Sequence, residues 1–327
     1  MSAESRIEIF GCGSDDRSYW CVEGDGAGVE GVVLGHGQVE GIYDAPVKVE
    51  RKSSVRQRGG SIVAKTFGVR ELSLGFHVIG RKHGAPASFA EIDSEFRAAF
   101  TYDAEETEWD EDWLPARIDW TTGLSGLRSL DVVLRDVPDF KPDINPLVNE
   151  YGNPILPLAS DQPFWYQDEL MKSWETSSTS ASGWILMPGN FTDVPSYQRW
   201  VLTRGTWEIP DVSWRGRRGH RVPGGEDAAR MVPTMPVTSL HGGLIIDLDP
   251  MQLMVRDAHD TNAIAQMPNP GQFFKYIIPP YTPPTWLPIA VTGAPAGGAR
   301  AELYVPQLWS KPWGGEQPMS EAGAMPS

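Results

Sequence analysis

The sequence predicts a mainly β, two-domain chain: an N-terminal β-sandwich-like domain with one α-helix, then a C-terminal β-sandwich. Three observations predict it. Most apolar segments repeat every two residues rather than every 3.6. Only one stretch carries helical spacing with a cap. Gly (34) and Pro (28) punctuate the 327 residues often enough to end many short elements, without reaching low complexity.

Along the first half, RIEIF (6–10), PVKVE (46–50), ELSLGFHVIG (71–80), ARIDW (116–120) and SLDVVLRDV (129–137) alternate as half-buried antiparallel strands do. The helix is SFAEIDSEFRAAF (88–100). Ser88 and Glu91 form a capping-box pair, and Phe89, Ile92, Phe96 and Phe100 fall on one face, which covers a sheet. The proline-rich stretch KPDINPLVNEYGNPILPLASD (141–161) marks a boundary. Beyond it, RWVLTRGTWEI (199–209), LIIDLDP (244–250), QLMVRD (252–257), FFKYIIP (273–279), PIAVTG (288–293) and ARAELYVP (299–306) read as sandwich strands. The resulting division is 1–145, 146–314 and a small, polar, mobile tail at 315–327.

Charge narrows the function classes. The net charge of −15 argues against a protein that grips polyphosphate. No 18-residue apolar window exists, so no membrane span is expected. The N-terminus lacks the apolar core of a secretory signal, which points to a cytosolic origin and to Cys12 and Cys21 staying reduced. Two segments stand out against the acidic balance. KVERKSSVRQR (48–58) places Lys48, Arg51, Lys52, Arg56 and Arg58 beside a single acid. DAEETEWDED (103–112) holds Asp103, Glu105, Glu106, Glu108, Asp110, Glu111 and Asp112 with no base. Each alone reads as a solvated loop; together they suggest complementary patches meeting across a subunit interface.

Motifs of chemistry are absent or incomplete. Gly26, Gly28 and Gly31 spell G-x-G-x-x-G, but the flanks are glycine-rich rather than strand and helix. GLSGL (123–127) begins as a nucleophile elbow and fails at Leu127. The six histidines are scattered, without metal-ligand spacing. RGRRGHR (215–221) offers four arginines on a Gly-rich loop, read as facing a partner. In DQPFWYQDE (161–169) acids flank Phe164, Trp165 and Tyr166, as in a sugar cleft or at a buried domain seam. The seam is favoured; in the sugar reading Trp165, Trp174 or Trp184 would stack on a glycan. No cofactor is expected.

The order of several segments carries a resemblance. PLASDQPFWYQDE is followed by NFTDVPSYQRWVLTRG (190–205), GGLIIDLDP (242–250) and IPPYTPPTWLPIAVTGAPAGGARAELYVPQLWSKPWG (278–314). Over about residues 40–314 this series resembles minor tail proteins of long-tailed phages of actinobacteria, such as mycobacteriophages, of the distal tail protein type. The resemblance implies a virion protein at the distal end of the tail, assembled in the host cytoplasm. It implies a hexameric ring, whose N-terminal domains surround a lumen that passes DNA, and a peripheral galectin-like C-terminal domain. The partners implied are further copies of itself, the tail tube and tape-measure proteins, the tip hub and other minor tail proteins. No catalytic residues come with the resemblance. Rival expectations are a host-wall carbohydrate-binding module and, less favoured, a cell-wall hydrolase.

Overall fold

The computed structural model describes residues 5–102, 109–268 and 273–326. The chain forms two compact units. Unit 1 comprises the chain up to Tyr166 together with Trp309–Gly314; unit 2 comprises Gln167–Leu308 and the chain from Gly315 on. The division therefore falls at 166/167 rather than 145/146, and the chain revisits unit 1 once. The 146–166 segment stays in unit 1 because its strand pairs there and Trp165 enters that core.

In unit 1 the strands are β1 (Ser5–Phe10), β2 (Tyr19–Glu23), β3 (Val32–Glu40), β4 (Val47–Lys52), β5 (Ser61–Phe67), β6 (Arg70–Ile79), β7 (Ala116–Thr122), β8 (Gly126–Leu134), β9 (Tyr151–Gly152) and β10 (Ile155–Ser160). Antiparallel pairing follows the path β3-β6-β10-β8-β7-β1-β2. Both halves of this path feed one core. Ile7, Ile9 and Trp20 come from one half, Leu72, Leu74 and Phe76 from the other.

Helix α1 (Phe89–Ala98) closes that core. Ser88 caps it with the reciprocal Glu91 contact, as the sequence predicts, and Phe89, Ile92 and Phe96 are buried. Phe96 meets Trp20, Phe76 and Phe100 edge-on at 5.2, 4.9 and 5.4 Å. Such pairs add about 0.5–1.5 kcal/mol each beyond the area they bury.

Two expectations change. The stretch 24–41, whose flank the sequence reads as glycine-rich rather than strand, holds β3 over half its length, paired with β6. Before β3, a run of turns uses its glycines for backbone room: Gly31 has φ +84°, and a Cβ there would lie 2.6 Å from Ile92 Cδ1. That leaves no helix N-terminus for a pyrophosphate. The second change is PVKVE (46–50). It does form a strand, β4, but one that pairs only with β5 and buries neither face.

Unit 2 continues with β11 (Trp165–Thr176, its first two residues in unit 1), β12 (Ala181–Met187), β13 (Arg199–Leu202), β14 (Thr206–Pro210), β15 (Trp214–Arg215), β16 (Val222–Pro223), β17 (Met231–Pro233), β18 (Leu244–Asp247), β19 (Val255–Asp257), β20 (Thr285–Thr292) and β21 (Ala299–Trp309, its last residue in unit 1). One sheet runs β19-β18-β13-β21-β11 and a second β12-β20-β14-β17. Alternate residues of both sheets share a single core: Trp200, Leu244 and Leu303 from the first, Ile185, Trp207 and Ile289 from the second. FFKYIIP (273–279), expected as a strand, has no regular pairing among its described residues beyond a single bridge at Ile278. The buried carboxylate of Asp211 takes the place of a ladder there, accepting from the backbone N–H of Lys275 and Tyr276 at 2.9 and 3.0 Å.

Candidate assembly surfaces

The basic segment of the sequence lies on the β4–β5 hairpin. Pairing runs from Val47↔Phe67 at the base to Lys52↔Ser61 near the tip, with one irregularity after Glu50. Lys48, Arg51, Lys52, Arg56 and Arg58 are all exposed. So are apolar residues: Val55 is 94% exposed and Ile62 64%. A two-stranded ribbon is marginal by itself in water. Its base is fastened by Phe67, which packs edge-on to Phe164 at 4.8 Å. Of the acidic segment, Asp103, Glu105, Glu106 and Glu108 lie outside the described residues. Glu111 and Asp112 are exposed and Asp110 half-buried.

The three aromatics at 164–166 end unit 1 and serve three purposes. Phe164 anchors the hairpin base. Trp165 is wholly buried, donates from Nε1 to Ile42 O at 3.2 Å and meets Trp120 edge-on at 6.1 Å. A ring with no exposed face cannot stack on a glycan, which corrects the sugar reading for Trp165. Tyr166 donates its hydroxyl to Asp131 Oδ1 at 2.9 Å. Burial pushes the Asp131 carboxyl above its usual range, against the pull of Tyr166, Arg117 and Arg17.

Two buried arginines stitch Trp309–Gly314 into unit 1. Arg70 donates to the carbonyls of Pro163 (2.7 Å), Ile42 (2.8 Å) and Ser310 (3.0 Å). Arg128 donates to Lys311 O and Gly314 O at 2.8 and 3.0 Å, and its guanidinium lies 3.7 Å from the Trp309 ring centroid. Burial lowers the Arg70 guanidinium to about 10. Carbonyls are neutral, but several of them converging on one cation replace much of its lost hydration. Trp313 adds a ring 4.9 Å from Trp120.

No family model matches the chain. Minor tail protein Gp27 of Mycobacterium phage D29 is 25% identical, over 88% of this chain and 93% of its own length. Minor tail protein Gp27 of Mycobacterium phage L5 is 24% identical over the same shares. The chain is similar to these mycobacteriophage minor tail proteins over most of its length. Among solved structures, the Dit protein (gp 19.1) of phage SPP1 superposes with a TM-score of 0.49 at 8% identity, over 91% of this chain and 98% of that one. A chain of the phage P2 baseplate in its activated, calcium-bound conformation gives 0.42 at 11% identity, over 93% and 98%.

The other sequence candidates lie on strands and turns of the two units. Trp174 is half-buried against Trp207, 6.0 Å away edge-on. Trp184 is half-buried on β12, opposite Pro288. The thiols of Cys12 and Cys21 donate to different carbonyls, those of Ala98 and Asp25 at 3.5 and 3.3 Å. No group of three or more potential metal ligands occurs among the described residues. An open groove of about 520 Å³ in unit 2 is lined by Glu175, Arg204 and Arg300 among others. Arg300 is engaged there by Glu175 and Glu302 at 3.0 and 2.7 Å, a surface ion-pair cluster. Sequence reading missed Arg70 and Arg128 altogether. The only available signal was an arginine at a core-facing position of an alternating strand.

Proposed function

We propose that this chain is a distal tail protein: a structural subunit that forms a hexameric ring at the tail tip, joins the tail tube to the tip hub and lets DNA pass. The observation that carries the reading is the match to two curated minor tail proteins over 88% of the chain. A chain built as two compact β units agrees with it. The reading assigns no chemistry to the chain.

Ring closure from a single chain needs a head-to-tail interface, in which one surface of a copy meets a different surface of the next. The β4–β5 hairpin suits one side. It spans residues 47–67 with Lys48, Arg51, Lys52, Arg56, Arg58 and Lys65 against Glu50 alone. The 103–112 acids, with Glu111 and Asp112 exposed, suit the other. Charge of opposite sign on the two sides favours head-to-tail contact and disfavours hairpin against hairpin. A net charge of −15 in the chain suits a lumen that releases DNA rather than holding it.

The test is charge reversal with rescue. Arg56→Glu/Arg58→Glu is expected to abolish rings while the monomer stays folded. Glu111→Arg/Asp112→Arg in the same chain is expected to restore them. Unchanged assembly in the first variant refutes this interface.

A further inference from the structure

The residues from Gly315 to Pro326 have no regular secondary structure, yet they lie against unit 2. Hydrogen bonds at Gly315, Ser320 and Gly323 help to hold them. Tyr281 donates its hydroxyl to Gly315 O at 2.8 Å. The backbone N–H and the Oγ of Ser320 both donate to Gly219 O, at 3.1 and 2.9 Å. Trp286 donates Nε1 to Gly323 O at 3.0 Å. The tail side of these contacts is backbone throughout, except for the Ser320 hydroxyl. Such a seat recognises an extended strand of small residues.

The seat is built by the arginine-rich loop that the sequence singled out. Gly219, in RGRRGHR, is buried and has φ +76°; a Cβ there would lie 2.7 Å from Pro318 O. Its N–H donates to Tyr281 O at 2.8 Å, and Arg218 lies 5.4 Å from the Tyr281 ring centroid. The loop carries four arginines, and the tail it holds carries Glu316 and Glu321 and no Lys or Arg. The seat thus fits the segment in shape and in sign of charge.

The attachment of the tail is asymmetric. Gly314 is fixed in unit 1 by Arg128 at its carbonyl and by Ser125 Oγ at its N–H (2.8 Å). Gly314 and Gly315 have φ +73° and +90°, so the chain leaves that fixed point through two residues free to take either hand. Beyond them the tail is held lightly, with most of its residues exposed. A firm pivot, a glycine pair and a weak, backbone-reading seat are the ingredients of strand exchange, in which an identical element moves between copies at little cost.

We infer that residues 315–326 are an exchangeable strap, and that the surface formed by Gly219, Tyr281 and Trp286 accepts the C-terminal segment of a second copy of this chain. The inference holds for any array that brings copies together and does not depend on a sixfold ring.

Two variants make the test. A tagged acceptor ends at Gly314 and has a vacant seat. A Gly219→Ala donor keeps its tail but has its own seat blocked by the added methyl. Both are first checked for a wild-type melting profile; if Gly219→Ala does not fold, Trp286→Leu serves as the donor. The acceptor is mixed with this donor or with a control donor that also ends at Gly314, and the retained protein is measured. Exchange predicts about tenfold more retention of the donor that has a tail, reduced by salt. Equal retention of the two donors overturns the strap, whereas copy–copy contacts made elsewhere raise both equally and leave the ring reading standing.

Discussion

Trp309–Gly314 and the stretch after it, 315–326, are neighbours in sequence held by different chemistry. The first carries two tryptophans into unit 1 and is gripped by the buried guanidiniums of Arg70 and Arg128. The second rests on unit 2 through a few hydrogen bonds, chiefly to its backbone, with no aromatic of its own. A revisit to a core requires rings and satisfied charges; a strap requires only small residues and carbonyls. The change occurs at Gly314 and Gly315, where both residues have positive φ.

The contrast can be broken most forcefully at its rigid side. Trp165→Ala empties a wholly buried site and is expected to cost about 3–5 kcal/mol, abolishing or strongly lowering the unit 1 transition in calorimetry. Unit 2 should melt separately and little changed. Arg128→Met comes next. It leaves Lys311 O and Gly314 O without their donor and should cost about 1.5–3 kcal/mol, with faster amide exchange confined mainly to 309–314. Ending the chain at Gly314 should change unit 2 by less than about 1 kcal/mol, since the entropy of ordering an exposed tail offsets most of what its hydrogen bonds contribute. If the tail deletion proves as damaging as Trp165→Ala, the distinction between stitched and strapped segments is wrong.

Smaller still is the pH response of unit 1. Burial raises the Asp131 carboxyl, so the folded state holds that proton more tightly than the unfolded chain does. The stabilisation this brings is complete below the ordinary carboxylate value and is lost as pH rises through the raised one. Asp131→Asn should therefore flatten the pH dependence of unit 1 melting across the weakly acidic range. Its advantage over the wild type should be largest at neutral pH. An unchanged pH profile would remove Asp131 from the account.

The fold was legible where pattern and burial coincide. The Ser88–Glu91 cap and the phenylalanine face of α1 appear as read, and so does the alternation of β6, β7 and β8. Three features escaped for physical reasons. PVKVE alternates like a half-buried strand, but alternation cannot say which sheet, if any, will cover it, and β4 stands on a two-stranded ribbon. FFKYIIP has strand composition, yet a distant carboxylate, Asp211, takes its N–H groups. The return of 309–314 to unit 1 depends on contacts between residues more than 180 positions apart, as in Arg128 with Lys311. Local periodicity carries no record of these. The aromatics at 161–169 were placed at a seam by sequence order, but only burial shows that Trp165 is closed to a ligand.

The central claim is that copies of this chain close into a ring. Electron microscopy of the purified full-length protein, classified without imposed symmetry, tests it most directly. The account predicts closed six-membered rings with an open lumen, lost in Arg56→Glu/Arg58→Glu and regained with the compensating acidic reversals. Monomers at every concentration, together with no ring of this protein in isolated tail tips, would contradict it.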